Sequence, residues 1–155
     1  MLSSVCRMIP ESAYRLFDEP KNATIITIDP DGSPQASLVW VERDGDDVLA
    51  GIQAPHRKTR NLFRDPRVTL LIQDDQVGWR GITQYLVLRG TAKLEGPGIP
   101  DEYKALMDRE TQRYLGLPEF PFGEGIWDTG VIARITVERV SGEGPWVRSP
   151  GASGA

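Results

Sequence analysis

Residues 83–95, Thr-Gln-Tyr-Leu-Val-Leu-Arg-Gly-Thr-Ala-Lys-Leu-Glu, constrain the fold more than any other segment. Leu86, Leu88, Ala92 and Leu94 fall on one face, and Tyr85, Val87, Arg89, Thr91 and Lys93 fall on the other. This alternation is that of a β-strand with one buried side. Laid straight, such a strand would run roughly 43 Å, too long for so small a domain. It must therefore coil, and Gly90 marks the bulge or bend at which it changes partners. A coiled strand in a small chain predicts a closed or nearly closed barrel, which also removes exposed sheet edges.

The other segments agree. Strands are predicted over 23–28, 35–42, 47–52, 68–73 and 131–138, making six in all, antiparallel. Asp29-Pro-Asp-Gly-Ser-Pro34 and Arg43-Asp-Gly-Asp46 are turns in which proline presets φ and glycine supplies φ > 0. A short helix fits residues 10–18. A longer one fits 101–115, where Tyr103, Leu106, Met107, Glu110 and Tyr114 recur at helical spacing and Gly116 follows. The fold class is mainly β: six antiparallel strands in a closed or nearly closed barrel with short flanking helices, in one domain spanning 1–155. The ends, 1–8 and 141–155, are expected to be loose, with Trp146 able to anchor part of the second.

With 39% hydrophobic and 26% charged residues the chain suits a water-soluble globular domain, and its net charge of −4 argues against general nucleic-acid binding. No stretch is apolar enough to span a membrane or to serve as a signal peptide, so a cytoplasmic location is expected. One cysteine, Cys6, excludes an intrachain disulfide, and one histidine beside it argues against a structural metal site.

Against the acidic background, residues 54–67 invert the sign. Arg57, Lys58, Arg60, Arg64 and Arg67 crowd one short stretch with a single acid, Asp65. Pro55 precedes the run and Asp65-Pro66 closes it, the punctuation of a short helix between two strands. Cations beside free amides at a helix start hold phosphate well; a solvated basic helix is the alternative. No nucleophile elbow, supported Cys–His pair or Walker loop is present. The carboxylates at 29, 31, 44, 46 and 47 lie in turns, where they serve turn geometry. An enzyme without its own acid, base or nucleophile needs a cofactor to carry the chemistry, and a phosphate cradle fits that need.

The run His56-Arg57-Lys58-Thr59-Arg60-Asn61, followed by Asp65-Pro66-Arg67-Val68, resembles the pyridoxamine 5′-phosphate oxidase superfamily of FMN-binding split barrels. Residues 32–40 resemble the strand beside the cofactor, and 83–90 the later strand whose glutamine, here Gln84, contacts the flavin. The resemblance implies that Arg57 and Lys58 bind the cofactor phosphate. It covers residues 20–95 and 130–140. Ser37 stands where the oxidases proper carry arginine, and their terminal Trp- and Arg-containing substrate motif is missing, which points away from pyridoxamine phosphate as substrate. The pattern is more similar to the branch that uses the deazaflavin coenzyme F420, in which the positions of His56, Lys58 and Asn61 help hold the coenzyme. FMN is the alternative cofactor.

The cofactor-binding candidates are thus Ser37, His56, Arg57, Lys58, Asn61, Trp79 and Gln84; Trp79 and Gln84 have packing or exposed roles as alternatives. The resemblance implies a homodimer with the ring in a groove between subunits and hydride transfer to a small unsaturated organic substrate. No catalytic side chain or proton donor is identifiable. A non-catalytic carrier of flavin, F420 or haem is the rival, with His56 as the only available haem ligand. Loops 74–82 and 116–129 are expected to shape the substrate site, with 118–123 packing in the core or on a partner, and a lid as the alternative.

Overall fold

The computed structural model describes residues 8–147; Cys6 and the outer parts of both ends lie outside them. A 3-10 turn (Glu11–Ala13) and α1 (Arg15–Asp18) lead into β1 (Ala23–Ile28), β2 (Pro34–Val39), β3 (Glu42–Asp44) and β4 (Asp47–Gln53). Then follow α2 (Arg57–Arg64), β5 (Arg67–Val77), β6 (Thr83–Glu95), α3 (Pro100–Leu115) and β7 (Gly130–Glu143). The strands form one antiparallel sheet in the order β2-β1-β5-β6-β7-β4-β3. Its two edge strands, β2 and β3, are joined by only Trp40 and Val41, so the sheet must curl until its edges approach each other.

That junction explains why there are seven strands instead of the six expected. Residues 35–42 do not form one strand because Val41 leaves the ladder. Its N–H donates to the Tyr114 hydroxyl at 3.1 Å, and its carbonyl accepts from Arg113. Two side chains of α3 thus satisfy the backbone where the sheet turns its corner.

Gly90 sits at the irregularity expected of it. Arg89 faces Arg139 and Gly90 faces Val137, leaving Glu138 as the extra residue of a bulge. A Cβ at position 90 would stand 1.8 Å from the Thr136 carbonyl oxygen, so no side chain fits there. The inward residues of the curled sheet, among them Ile25, Val39, Ile52, Leu70, Ile72, Leu86, Leu88 and Ile135, form the main core.

β5 outruns the expected 68–73, shortening the loop that follows it. Buried Asp74 holds the extension down: it accepts from Arg15 and lies 3.8 Å from the Lys21 ammonium. β7 likewise runs past 138 to Glu143, and beyond it Trp146 donates its indole N–H to the Tyr85 carbonyl at 2.9 Å.

A second apolar cluster lies outside the barrel, where Tyr103, Leu106 and Met107 of α3 pack on Leu49 of β4 and Ile132 of β7. The Tyr103 ring covers Gly130 so closely that a Cβ there would stand 2.2 Å from it. This seating of α3 sets one wall of a cleft that reaches the start of α2.

Candidate functional site

His56 has extended backbone dihedrals and caps α2 without a side-chain bond. Its carbonyl accepts from the amides of Thr59 and Arg60, both at 3.1 Å. The amides of Arg57 and Lys58 have no hydrogen-bond partner among the described residues. Two free N–H groups at a helix start carry the positive end of the helix dipole. Lys58, in the first turn of the same helix, is half-buried, and its ammonium pairs with no carboxylate among the described residues. Burial lowers its pKa. Burial also lowers that of His56, with a smaller contribution from the charge of Lys58. An anion bound here would relieve both penalties, because it favours the charged form of each.

Arg57 points elsewhere. Its guanidinium donates to both oxygens of Asp29, from Nε at 2.9 Å and from Nη2 at 2.7 Å. Asn61, 2% exposed, donates to the same carboxylate at 2.9 Å and to the Thr27 hydroxyl at 3.1 Å. Arg64 donates to the Asn61 side-chain oxygen at 3.2 Å and to the Ile28 carbonyl. The three residues fasten α2 to the end of β1 and its turn. Asp29, read from sequence as a turn residue, is the hub of this cluster; the Asn61 amide foremost, with the Arg57 guanidinium, holds its pKa below the ordinary carboxylate value.

His56 and Lys58 line one side of a cleft of about 470 Å³, within the roughly 300–1,000 Å³ usual for small-molecule sites. The other walls are largely apolar and include the aromatic rings of Trp40, Tyr103, Phe120 and Phe122. Trp40 stacks on Tyr114, with centroids 4.9 Å apart and planes 8° from parallel, and Phe120 meets Trp40 edge-on at 6.2 Å. Gln53 is fixed by donating to the Tyr103 hydroxyl at 2.9 Å and accepting from Thr129 at 2.6 Å. Glu110 lies at the cleft, buried within α3. Such a site can hold a flat apolar body against its walls and an anionic group at α2.

The other candidates lie apart. Trp79, 61% exposed, and Gln84 line a second cleft of about 670 Å³ with Arg80, Ile82 and Glu143. The Arg80 guanidinium sits 4.4 Å over the Trp79 ring, and Gln84 Oε1 is buried without a partner. Ser37 is on β2 opposite Ile25, its hydroxyl also buried and unpartnered. Within one chain, then, His56 and Lys58 are brought together, Trp79 and Gln84 are brought together elsewhere, and Arg57 and Asn61 meet at Asp29. Trp40, Gln53, Tyr103, Glu110 and Phe120 were not singled out as site residues from sequence. The signal available was Glu110, an acid on the apolar stripe of a helix. Among the described residues no cluster of three potential metal ligands occurs, and no helix is long and apolar enough to cross a membrane.

The family model for pyridoxamine 5′-phosphate oxidase matches residues 9–142. The chain belongs to that family. A curated member, pyridoxine/pyridoxamine 5′-phosphate oxidase from Rhodopseudomonas palustris (strain BisB5), is 24% identical over 141 residues, covering 89% of this chain and 63% of its own length. The present chain therefore spans less than two thirds of that relative. Among solved structures, an F420 reductase superposes with a TM-score of 0.71 at 23% identity, covering 86% of this chain and 98% of its own. The haem storage protein HutZ from Vibrio cholerae gives 0.62 at 18% identity, covering 89% and 96%. Both share the split-barrel fold of the family.

Proposed function

We propose that the protein is an oxidoreductase that binds a flavin-type coenzyme, F420 in preference to FMN, at the cleft beside α2, and reduces a small unsaturated organic substrate. The observation that carries this reading is the half-buried, unpaired Lys58 beside two free amides at the rim of an aromatic-walled cleft. A coenzyme with a flat ring system and an anionic tail matches both parts. When bound, the coenzyme supplies the hydride. The protein's own work is to hold and orient it. Lys58, His56 and the amides of Arg57 and Lys58 receive the anion. Arg57, paired with Asp29, and Asn61 keep the helix start in position. The cleft walls keep water from the reacting face.

The oxidoreductase activity and the F420 preference are supported by the family and by the names of its relatives, an oxidase and an F420 reductase. Trp79 and Gln84 fit the same site if a second copy of the chain brings its Trp79 cleft to the Lys58 cleft of the first, whereas Ser37 lines neither cleft. A homodimer is therefore part of the proposal, as is the absence of nucleic-acid and membrane partners.

The test is turnover. The protein is mixed with chemically reduced F420 or reduced FMN and an enone acceptor, and reoxidation is followed by absorbance. Faster reoxidation with protein and F420 supports the proposal; with FMN alone, the cofactor choice is overturned. Tight binding of either without turnover makes the protein a carrier, and a Soret band on adding haemin, lost in His56→Ala, makes it a haem binder.

A further inference from the structure

Glu110 sits on the face of α3 that carries Tyr103, Leu106 and Met107. It is 1% exposed, yet it lines the floor of the cleft that holds His56 and Lys58. Its Oε1 is buried and has no hydrogen-bond partner. A buried acid left unpartnered costs stability, so its presence calls for an explanation.

None of the charged and titratable groups around it bonds to its carboxyl Oε1. On its own helix, Arg109 donates to Glu42 of β3 at 2.9 Å, and Arg113 donates from Nη2 to the Val41 carbonyl while its Nε is buried without a partner. The Tyr103 hydroxyl accepts from Gln53, and the Tyr114 hydroxyl donates to the Lys21 carbonyl at 2.7 Å. Glu42 faces Glu110 as a like charge. No ion pair to Glu110 occurs among the described residues. Burial pushes its pKa up to about 8; Arg113 and Arg109 oppose the rise, and Glu42 adds to it.

An uncharged carboxyl has one O–H to give. Here it lies at a cleft lined also by Trp40, Phe120 and Met107, and its Oε1 has no hydrogen-bond partner among the described residues. The complement of such a site is a flat apolar body with a neutral acceptor oxygen. An anionic ligand group would be drawn instead to Lys58 and His56 at the rim.

We propose that Glu110 is the hydrogen-bond donor of a substrate subsite at the cleft floor, and that this subsite takes flat, apolar molecules bearing a carbonyl oxygen. The choice of a carbonyl compound as substrate rests on the oxidoreductase reading above; the binding itself needs no coenzyme. The subsite divides the cleft by chemistry: anion at α2, carbonyl at α3.

The probe is 2-acetylnaphthalene, with 2-ethylnaphthalene as the match that lacks the oxygen. Binding to the coenzyme-free full chain is measured by calorimetry at about pH 6.5 and about pH 9.5, on either side of the Glu110 titration. Wild type should bind the ketone saturably at the lower pH and lose about tenfold or more at the higher, where the ionised carboxylate repels the carbonyl. Glu110→Gln keeps an N–H donor that does not titrate, so its affinity should be nearly equal at both pH values. Glu110→Leu should bind the two naphthalenes equally. The subsite is ruled out if wild type shows no saturable ketone binding, if Glu110→Gln keeps the wild-type pH slope, or if Glu110→Leu still prefers the ketone. Titrating wild type with F420 and FMN separates the two readings. Coenzyme binding without ketone binding removes only the subsite; failure of both removes the functional reading with it.

Discussion

The guanidinium of Arg57 meets the carboxylate of Asp29 through two hydrogen bonds, 2.9 and 2.7 Å long. This pairing turns Arg57 away from Lys58, its neighbour in the chain, and divides the two cations between anchoring and binding. Arg57→Ala should therefore lower the melting temperature while weakening coenzyme binding only modestly, because Asn61 still holds Asp29 and α2 stays in place. Thermal melts and coenzyme titration of the same preparation check this. Unchanged stability with abolished binding would move Arg57 into direct contact with the ligand.

Glu110 should leave a signature in the pH dependence of stability. Unfolded, its carboxyl titrates at an ordinary value of 4.5; folded, it holds its proton up to about 8. Between those values the native state binds more protons than the unfolded chain, so stability falls as pH rises through this window and levels above it. Glu110→Gln removes that fall. Urea unfolding should find the variant more stable than wild type near pH 9 by a margin on the order of a few kcal/mol, and the gap should close near pH 5. Parallel curves across the window would show that the carboxyl ionises freely in the fold.

The bulge at Gly90 allows no side chain. A methyl group there would meet the Thr136 carbonyl at 1.8 Å, and relief requires shifting the β6–β7 ladder. Gly90→Ala should cost about 3 kcal/mol or leave the protein insoluble. A denaturation midpoint equal to wild type would mean that the ladder slips there without strain.

If the site is shared between subunits, inactive variants should complement each other. Lys58→Ala damages one half of the proposed site, and Trp79→Ala with Gln84→Ala damages the other. Mixing the two proteins at equal amounts and allowing exchange should restore about a quarter of the coenzyme sites by random pairing. No recovery, with exchange verified by mass, would confine the site to one chain.

Much of the barrel was legible in the sequence because it rests on local alternation. The strand at 83–95, the bulge at Gly90 and the basic helix follow from periodicity and punctuation within a dozen residues. The kink at Trp40–Val41 was not legible, because Val41 is claimed by Arg113 and Tyr114, more than 70 residues away in α3. The same applies to Arg57: its partner Asp29 lies 28 residues upstream in a turn whose composition already explained an acid. Gln84 joined Lys58 through family likeness and Trp79 as the possible edge of a pocket, and within one chain both line another cleft. Glu110 was visible on the helical stripe of α3, but the stripe alone gave it no role. Only the burial of its carboxyl beside the aromatic walls separates it from a surface glutamate.

Fluorescence titration of wild type and Lys58→Ala with oxidised F420, run alongside FMN, bears on the whole account. Wild type should bind F420 more tightly than FMN, and Lys58→Ala should weaken F420 binding by about 1.5–3 kcal/mol, roughly 10- to 150-fold, as expected for a lost charged hydrogen bond. Its melting temperature should not fall. Equal affinity in the two proteins, or no binding of either coenzyme to wild type, would contradict the assignment of Lys58 as the anion-binding cation.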